Sequence, residues 1–338
     1  MADIVCAIGT SFSPLLLIAP EDWAEYCQGD RKRPFNRRDG TLITHDELQA
    51  ENGDKYASRA TVAEFRRAAK IAQGCLDRIA AELAAAQPDV IVVVADDHAE
   101  LFDSTNFPTV AVYRGATLAS PGLDRRMSGY MSAQSAAGPA WRAAIKAAQT
   151  IEAQRHYPGN PAYADALVRG MIEENIDVAV ATEPKDPVNA GLGFGWGFVV
   201  NRLLANARIP IVPVLLNTHY PPNVPTPGRC FQIGQALRAA IAGSGKSLRV
   251  AVICAGGMSH LGIDEELDRR VLEATRTHDA AAISALPREA LIAGSCQLLN
   301  WALLAGVVQH LDNRWLEYLP VYRTAAGTGI GLAFAAWS

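Results

Sequence analysis

Apolar residues fall into two kinds of run along this chain. Short continuous runs at 4–8, 90–95, 110–113, 178–181, 209–215 and 248–254 show little alternation, which predicts strands covered on both faces. Between them, apolar positions recur at three- and four-residue spacing. The longest such stretch, 61–86, sets Val62, Phe65, Ala69, Ala72, Leu76, Ile79 and Leu83 on one stripe and predicts an amphipathic helix facing the core. Further helices are expected near 160–174, 195–207, 228–242, 264–277 and 295–309. Strands alternating with helices place the chain in the α/β class, as a three-layer α/β/α sandwich around a mostly buried mixed sheet. The polar, glycine-bearing stretches 28–57 and 114–137 are long enough to be lids or cleft walls. No repeat or composition break divides the chain, so one domain over 1–338 is expected, with an inserted loop and helix region at about 20–57.

Composition narrows the functional classes. The chain has 338 residues, 49% of them hydrophobic, which is enough for a sizeable core. A net charge of -4 gives no general attraction to nucleic acid or to a membrane surface. No apolar run reaches the roughly 18 residues that a membrane span needs. The start, MADIVCAIG, lacks the regions of a signal peptide and reads as a first strand. Six cysteines are scattered without a CxxC pair, as expected for a reduced, cytoplasmic protein. One basic run, with Arg31, Lys32, Arg33, Arg37 and Arg38, reads first as a solvated loop. A subunit contact or an anchor for an anionic substrate is the alternative.

Several glycine-rich stretches fail as motifs. AGSGKS ends like a phosphate loop, but Ala240 stands where the earlier glycine is required, and the stretch follows a helix. NAGLGFGWGF holds no G-x-G-x-x-G triple. GGMSHLG has Leu261 at the closing glycine of a nucleophile elbow.

Three places survive: the GTSFSP turn at Phe12, the end of the 90–95 strand at His98, and the end of the 248–254 strand at His260. Loops at strand ends line the cleft of a doubly wound sheet. Two histidines in such loops favour a functional reading over a structural one, because imidazole moves protons well near neutral pH.

The ordered blocks GTS-x-SP, DDHAELF…FPT, IPIVPVLLNTHYPPNVPTPGRC, GGMSH and GSCQLLNW resemble the catalytic subunits of class III extradiol ring-cleavage dioxygenases. These are relatives of the protocatechuate 4,5-dioxygenase β subunit. The resemblance runs from residue 4 to about 305. It implies a non-haem Fe(II) held by two histidines and a carboxylate. The first histidine of that set falls at Phe12, the second at His98 and the carboxylate at Gln297; the acid–base histidine matches His260. A further active-site histidine aligns with Ala190.

Phe12 has no lone pair, and Gln297 offers at best a neutral amide oxygen, so the expected cofactor set is none, with Fe2+ as the alternative. Phe12 is expected to fill the vacated volume and stack on a planar substrate. Gln297 avoids an unpaired buried charge. His45, His156 and His219, with Asp96, Asp97 and Glu100, are the groups from which a metal site would have to be rebuilt, and their spacing does not predict convergence. Ser259, Asn189, His219, Tyr220 and Arg229 are candidate substrate-binding residues, and the Gly256 and Gly257 amides candidate oxyanion donors.

Three functions are carried forward. The first is a metal-independent enzyme using His260 and His98 on a phenolic or ring-derived acid, by C–C cleavage, tautomerisation or decarboxylation. The second is a dioxygenase with a rebuilt iron site. The third is a silent subunit partnering an active chain. A small aromatic ligand and a homo-oligomer, or a second subunit, are the expected partners.

Overall fold

A computed structural model describes residues 2–32, 34–119, 156–184, 191–204, 207–245 and 247–338. Nine strands form its central mixed sheet: β1 (Asp3–Thr10), β2 (Val90–Asp96), β3 (Val110–Tyr113), β4 (Ala179–Ala181), β5 (Ile211–Leu216), β6 (Arg249–Ala255), β7 (His260–Gly262), β8 (Asn313–Tyr322) and β9 (Thr328–Trp337). Their order is β7-β9-β1-β6-β2-β5-β3-β4, with β8 pairing β9. The four central strands β1, β6, β2 and β5 are parallel to one another.

Five longer helices flank the sheet: α1 (Val62–Ala86), α2 (Pro161–Glu173), α3 (Pro227–Ala242), α4 (Glu265–Arg276) and α5 (Leu298–Val307). Alternate residues of β2 face opposite layers. Val90, Val92 and Val94 pack with α2, α3, α4 and α5, while Ile91, Val93 and Ala95 pack with α1 and the short helix Phe194–Phe198. This is the expected three-layer α/β/α sandwich, and it explains why the β2 run is apolar throughout.

Two expectations change. The 195–207 helix is a five-residue α-helix continued by a π turn at Val199–Leu203. The β8–β9 hairpin is an addition to the expected strands: β9 is rich in glycine and alanine, which are depleted in strands. Its small residues have a packing reason. A Cβ on Gly331 would meet Asp268 Oδ2 at 2.3 Å and Met258 Cβ at 2.8 Å.

The region at 20–57 is tied down electrostatically. Asp30 accepts from buried Arg323 at 3.1 Å and from Thr328 Oγ1 at 2.9 Å. Arg38 pairs with Asp264, and with Glu266 at 2.9 Å, at the start of α4. Arg37 pairs with Glu51. These two arginines of the basic run are therefore not bare solvated charges. Of the stretch 114–137, residues from 120 onward lie outside the described residues. No helix among the described residues is long and apolar enough to cross a membrane.

Candidate functional site

Four adjacent parallel strands end on one edge of the sheet, and each hands a candidate residue to the same cleft. Phe12 follows β1, His260 follows β6, Asp96 and His98 end and follow β2, and His219 follows β5. Ligands in open α/β sheets bind at this carboxyl edge.

The loop after β2 winds around Asp97. Its carboxylate accepts from the amides of Glu100, Leu101 and Phe102 at 2.9, 3.0 and 2.8 Å, and Ala99 takes a left-handed φ of 59°. Burial, then the charge of Glu100, push the Asp97 carboxyl up to about 6. Asp97 shapes the loop, and its neighbour Asp96 does the polar work in the cleft. After β5, Asn217 clamps the turn by accepting from Tyr220 N and donating to the carbonyls of Tyr220 and Asn223. That turn carries His219.

Asp96 is fully buried and forms the hub. Its Oδ2 lies 2.8 Å from His219 Nε2 and 2.9 Å from His98 Nε2. The His219 contact is an aligned hydrogen bond, whereas His98 Nε2 is buried without an aligned partner. Gln297 Nε2 donates to both Asp96 oxygens, at 3.3 and 3.0 Å, while its Oε1 accepts from Gly257 N at 2.7 Å. Cys296 Sγ sits 3.1 Å from His219 Nδ1. The donor atoms of Asp96, His98 and His219 all lie within 4.8 Å of one another.

Charge follows from these contacts. Burial pushes the Asp96 carboxyl up, but the two imidazoles together outweigh it and hold it well below the usual carboxylate range. Burial lowers His98, but the Asp96 charge and contact overcome it and raise the imidazole to about 9. His219 is likewise lowered by burial and raised on balance to about 9 by Cys296 and Asp96. His260 behaves oppositely. Burial, with the nearby His219 and Arg323 charges, pushes it down to about 4 against the pull of the Met258 carbonyl. Its Nδ1 lies 3.2 Å from Met258 O, so the neutral ring donates there and keeps a free lone pair on Nε2.

The structure brings together His98, His219, Gln297 and Asp96, and it sets His260 within electrostatic reach of them. It places the other candidates differently. Phe12 is buried, edge-on to Phe194 at 5.1 Å and tilted to Phe198 at 6.2 Å, so its ring packs against other rings of the chain. Half-buried Phe194 lies edge-on to His98 at 5.6 Å, and its amide donates to Glu100 Oε1. Ser259 is buried, donating to Asp268 Oδ2 and accepting from Asp264 N, both at 2.8 Å, so its hydroxyl holds the loop of His260. Tyr220 stacks on Phe107 at 4.0 Å. Arg229 engages Gln232 and the Asn175 carbonyl at the start of α3. Asn189, like Ala190, lies outside the described residues.

The expected oxyanion donors are spent. Gly256 N donates to Thr10 O at 3.0 Å and Gly257 N to Gln297. A cavity of about 740 Å³ is lined by Arg38, Lys55, Tyr56, Asp264, Ser295 and Tyr322, and none of the cluster's own residues lines it.

The family of the catalytic LigB subunit of aromatic ring-opening dioxygenases matches residues 62–333. The chain belongs to this family. The match takes in α1, the site-bearing ends of β2, β5 and β6, and most of the terminal hairpin, and begins after the region at 20–57. Gallate dioxygenase of Pseudomonas putida is 42% identical over 52 residues, 15% of this chain and 15% of that protein. This chain therefore aligns with a small part of that relative's length.

Membership in the LigB family raises the question of iron, and positions 12, 98 and 297 answer it poorly. The Phe12 ring has no donor atom and is packed among other rings. The Gln297 amide oxygen already accepts from Gly257, and its nitrogen faces Asp96. Of those three positions, His98 offers an imidazole nitrogen, Phe12 no donor atom, and Gln297 a neutral oxygen that already accepts from Gly257. The set that the resemblance assigns to Fe(II) does not fit that ion.

Proposed function

We propose that this LigB-family chain is an enzyme acting by proton transfer on a phenolic or ring-derived acid, with His260 as general base and acid. The observation that carries this reading is the contrast between His260, kept neutral, and the His98–Asp96–His219 cluster, kept cationic, at one sheet edge. A neutral imidazole whose Nδ1 is tied to a carbonyl presents Nε2 to take a substrate proton. The imidazoliums of His98 and His219 stabilise the anion that remains, the role that the sequence alone assigned to the glycine amides. Phe194 provides an edge for a planar ring. Tautomerisation, decarboxylation and retro-aldol C–C cleavage all run on these parts, with no metal in the proton-transfer step.

The aromatic substrate class is supported by the family's ring-opening reaction and by the name of the gallate dioxygenase relative. A screen of phenolic acids and their ring-opened derivatives supplies the substrate. On it, His260→Ala is expected to lower kcat by about 10²–10⁴-fold with substrate binding retained. Unchanged turnover in that variant would end the proposal. An assembly of copies of this chain, or with a second subunit, belongs to the same proposal and is checked by light scattering. A second reading, oxidative ring opening at a rebuilt metal site, is favoured by the convergence of Asp96, His98 and His219. Oxygen uptake with catechols after anaerobic metal loading tests it.

A further inference from the structure

We propose that Asp96, His98 and His219 form a divalent-cation site, displaced from the one the family resemblance places at positions 12, 98 and 297. The inference rests on the site of the proposed function: a bound ion would displace the protons of His98 and His219 and stand in for their positive charge, with His260 still the base. Two donors held about 2.1 Å from one ion at right angles are about 3 Å apart. The Asp96 Oδ2 distances to His219 Nε2 and His98 Nε2, 2.8 and 2.9 Å, match that edge. A hydrogen bond holds His219 to Asp96, whereas His98 meets the same carboxylate in an ion pair alone. Its Nε2 is buried at 2.9 Å from the oxygen without the alignment of a hydrogen bond, as two donors turned toward a common third point would be.

The surrounding groups fit the same assignment. Metal ligands are held by partners on their other atoms. Gln297, itself fixed by Gly257 N, donates to both oxygens of Asp96, and Cys296 Sγ sits at Nδ1 of His219. The substitutions become an exchange of roles. The carboxylate absent at 297 is supplied by Asp96, and the imidazole absent at 12 by His219. An ionised glutamate at 297 would set a second negative charge against Asp96, whereas glutamine donates to it. Asp96 is fully buried while the two imidazole side chains keep 23% and 21% exposure, so the ion would stay open on one side. Two imidazoles and one carboxylate suit a first-row divalent cation such as Fe(II), Mn(II), Co(II) or Zn(II).

The test is an anaerobic Co(II) titration of the full chain, followed by d–d absorption and by metal analysis after desalting. Wild type is expected to hold one Co(II) per chain. His219→Asn and Asp96→Asn are each expected to weaken binding by more than about 100-fold, and Cys296→Ser by about 10-fold, within the range for an orienting partner. His219→Asn is the primary variant, because this partly exposed side chain is the safer one to change, and circular dichroism confirms its fold. His260→Ala is expected to bind Co(II) as wild type does. Absence of Co(II) uptake by wild type, or equal uptake by His219→Asn, overturns the inference while the His260 test of function stands. Stoichiometric uptake with unaltered turnover in His260→Ala leaves the metal site standing and overturns the proposed function.

Discussion

Asp96 and Asp268 are both fully buried carboxyls, yet their surroundings drive them in opposite directions. Asp96 faces two imidazoles and is held well below the usual range. Asp268 faces neutral donors: Ser259 N and Oγ, each at 2.8 Å, and Tyr318 OH at 2.7 Å. There burial wins, and the carboxyl is pushed up to about 7. Loss of water costs both groups, so the charge on the donors decides the outcome. One carboxylate organises the reactive edge, and the other props the loop carrying His260.

The comparison can be broken most sharply at Asp96. Asp96→Leu leaves two imidazoles without their counter-charge and is expected to cost about 3–5 kcal/mol in urea unfolding. A loss comparable to a surface change would mean that the cluster is not electrostatically coupled. Gln297→Glu brings a second carboxylate against the first and is expected to cost about 1–3 kcal/mol in metal-free protein. Added Co(II) should recover part of that loss, as read by a shift in Tm.

Asp268 sharpens the contrast through pH. Its folded pKa is raised, so its stabilisation is full below about 3.9 and is lost as pH rises through about 7. Asp96, with a lowered pKa, contributes stability above about 3.9 that is lost as pH falls through its folded value. Asp268→Asn should flatten the decline between pH 4 and 7, a difference of about 1–3 kcal/mol in unfolding curves. Activity should rise with pH through about 4, as His260 becomes a free base. The smallest effect is expected from Tyr318→Phe, which removes one donor to Asp268 and should cost about 0.5–1.5 kcal/mol.

The parallel core was legible because strands buried on both faces read as unbroken apolar runs, and Val90–Asp96 is such a run. The β9 strand was hidden because its glycines and alanines carry little strand signal, and at Gly331 the close approach of Asp268 excludes a side chain. In the site, Phe12, His98, His260 and Gln297 stood in recognisable blocks. The Asp96–His219 contact did not, because the two residues are 123 apart in sequence. They meet because β2 and β5 are parallel neighbours with Asp96 in register with Leu216, and strand order is not written in local periodicity. A usable signal was present: each follows or ends an apolar run, as His98 and His260 do. The glycine amides misled because an N–H in a loop reads as free, while Gly256 and Gly257 are taken by Thr10 and Gln297.

The short strand bearing His260 finds its ladder partner only in residues 328–330, within the last ten-residue strand. Because that strand also lies against β1, the sheet cannot be completed on the ribosome until residues 328–337 have emerged. A nascent chain stalled shortly before that strand would expose one flank of β1 and leave His260 without its ladder, so the His260 loop is fixed late, by a segment that lies far downstream of it.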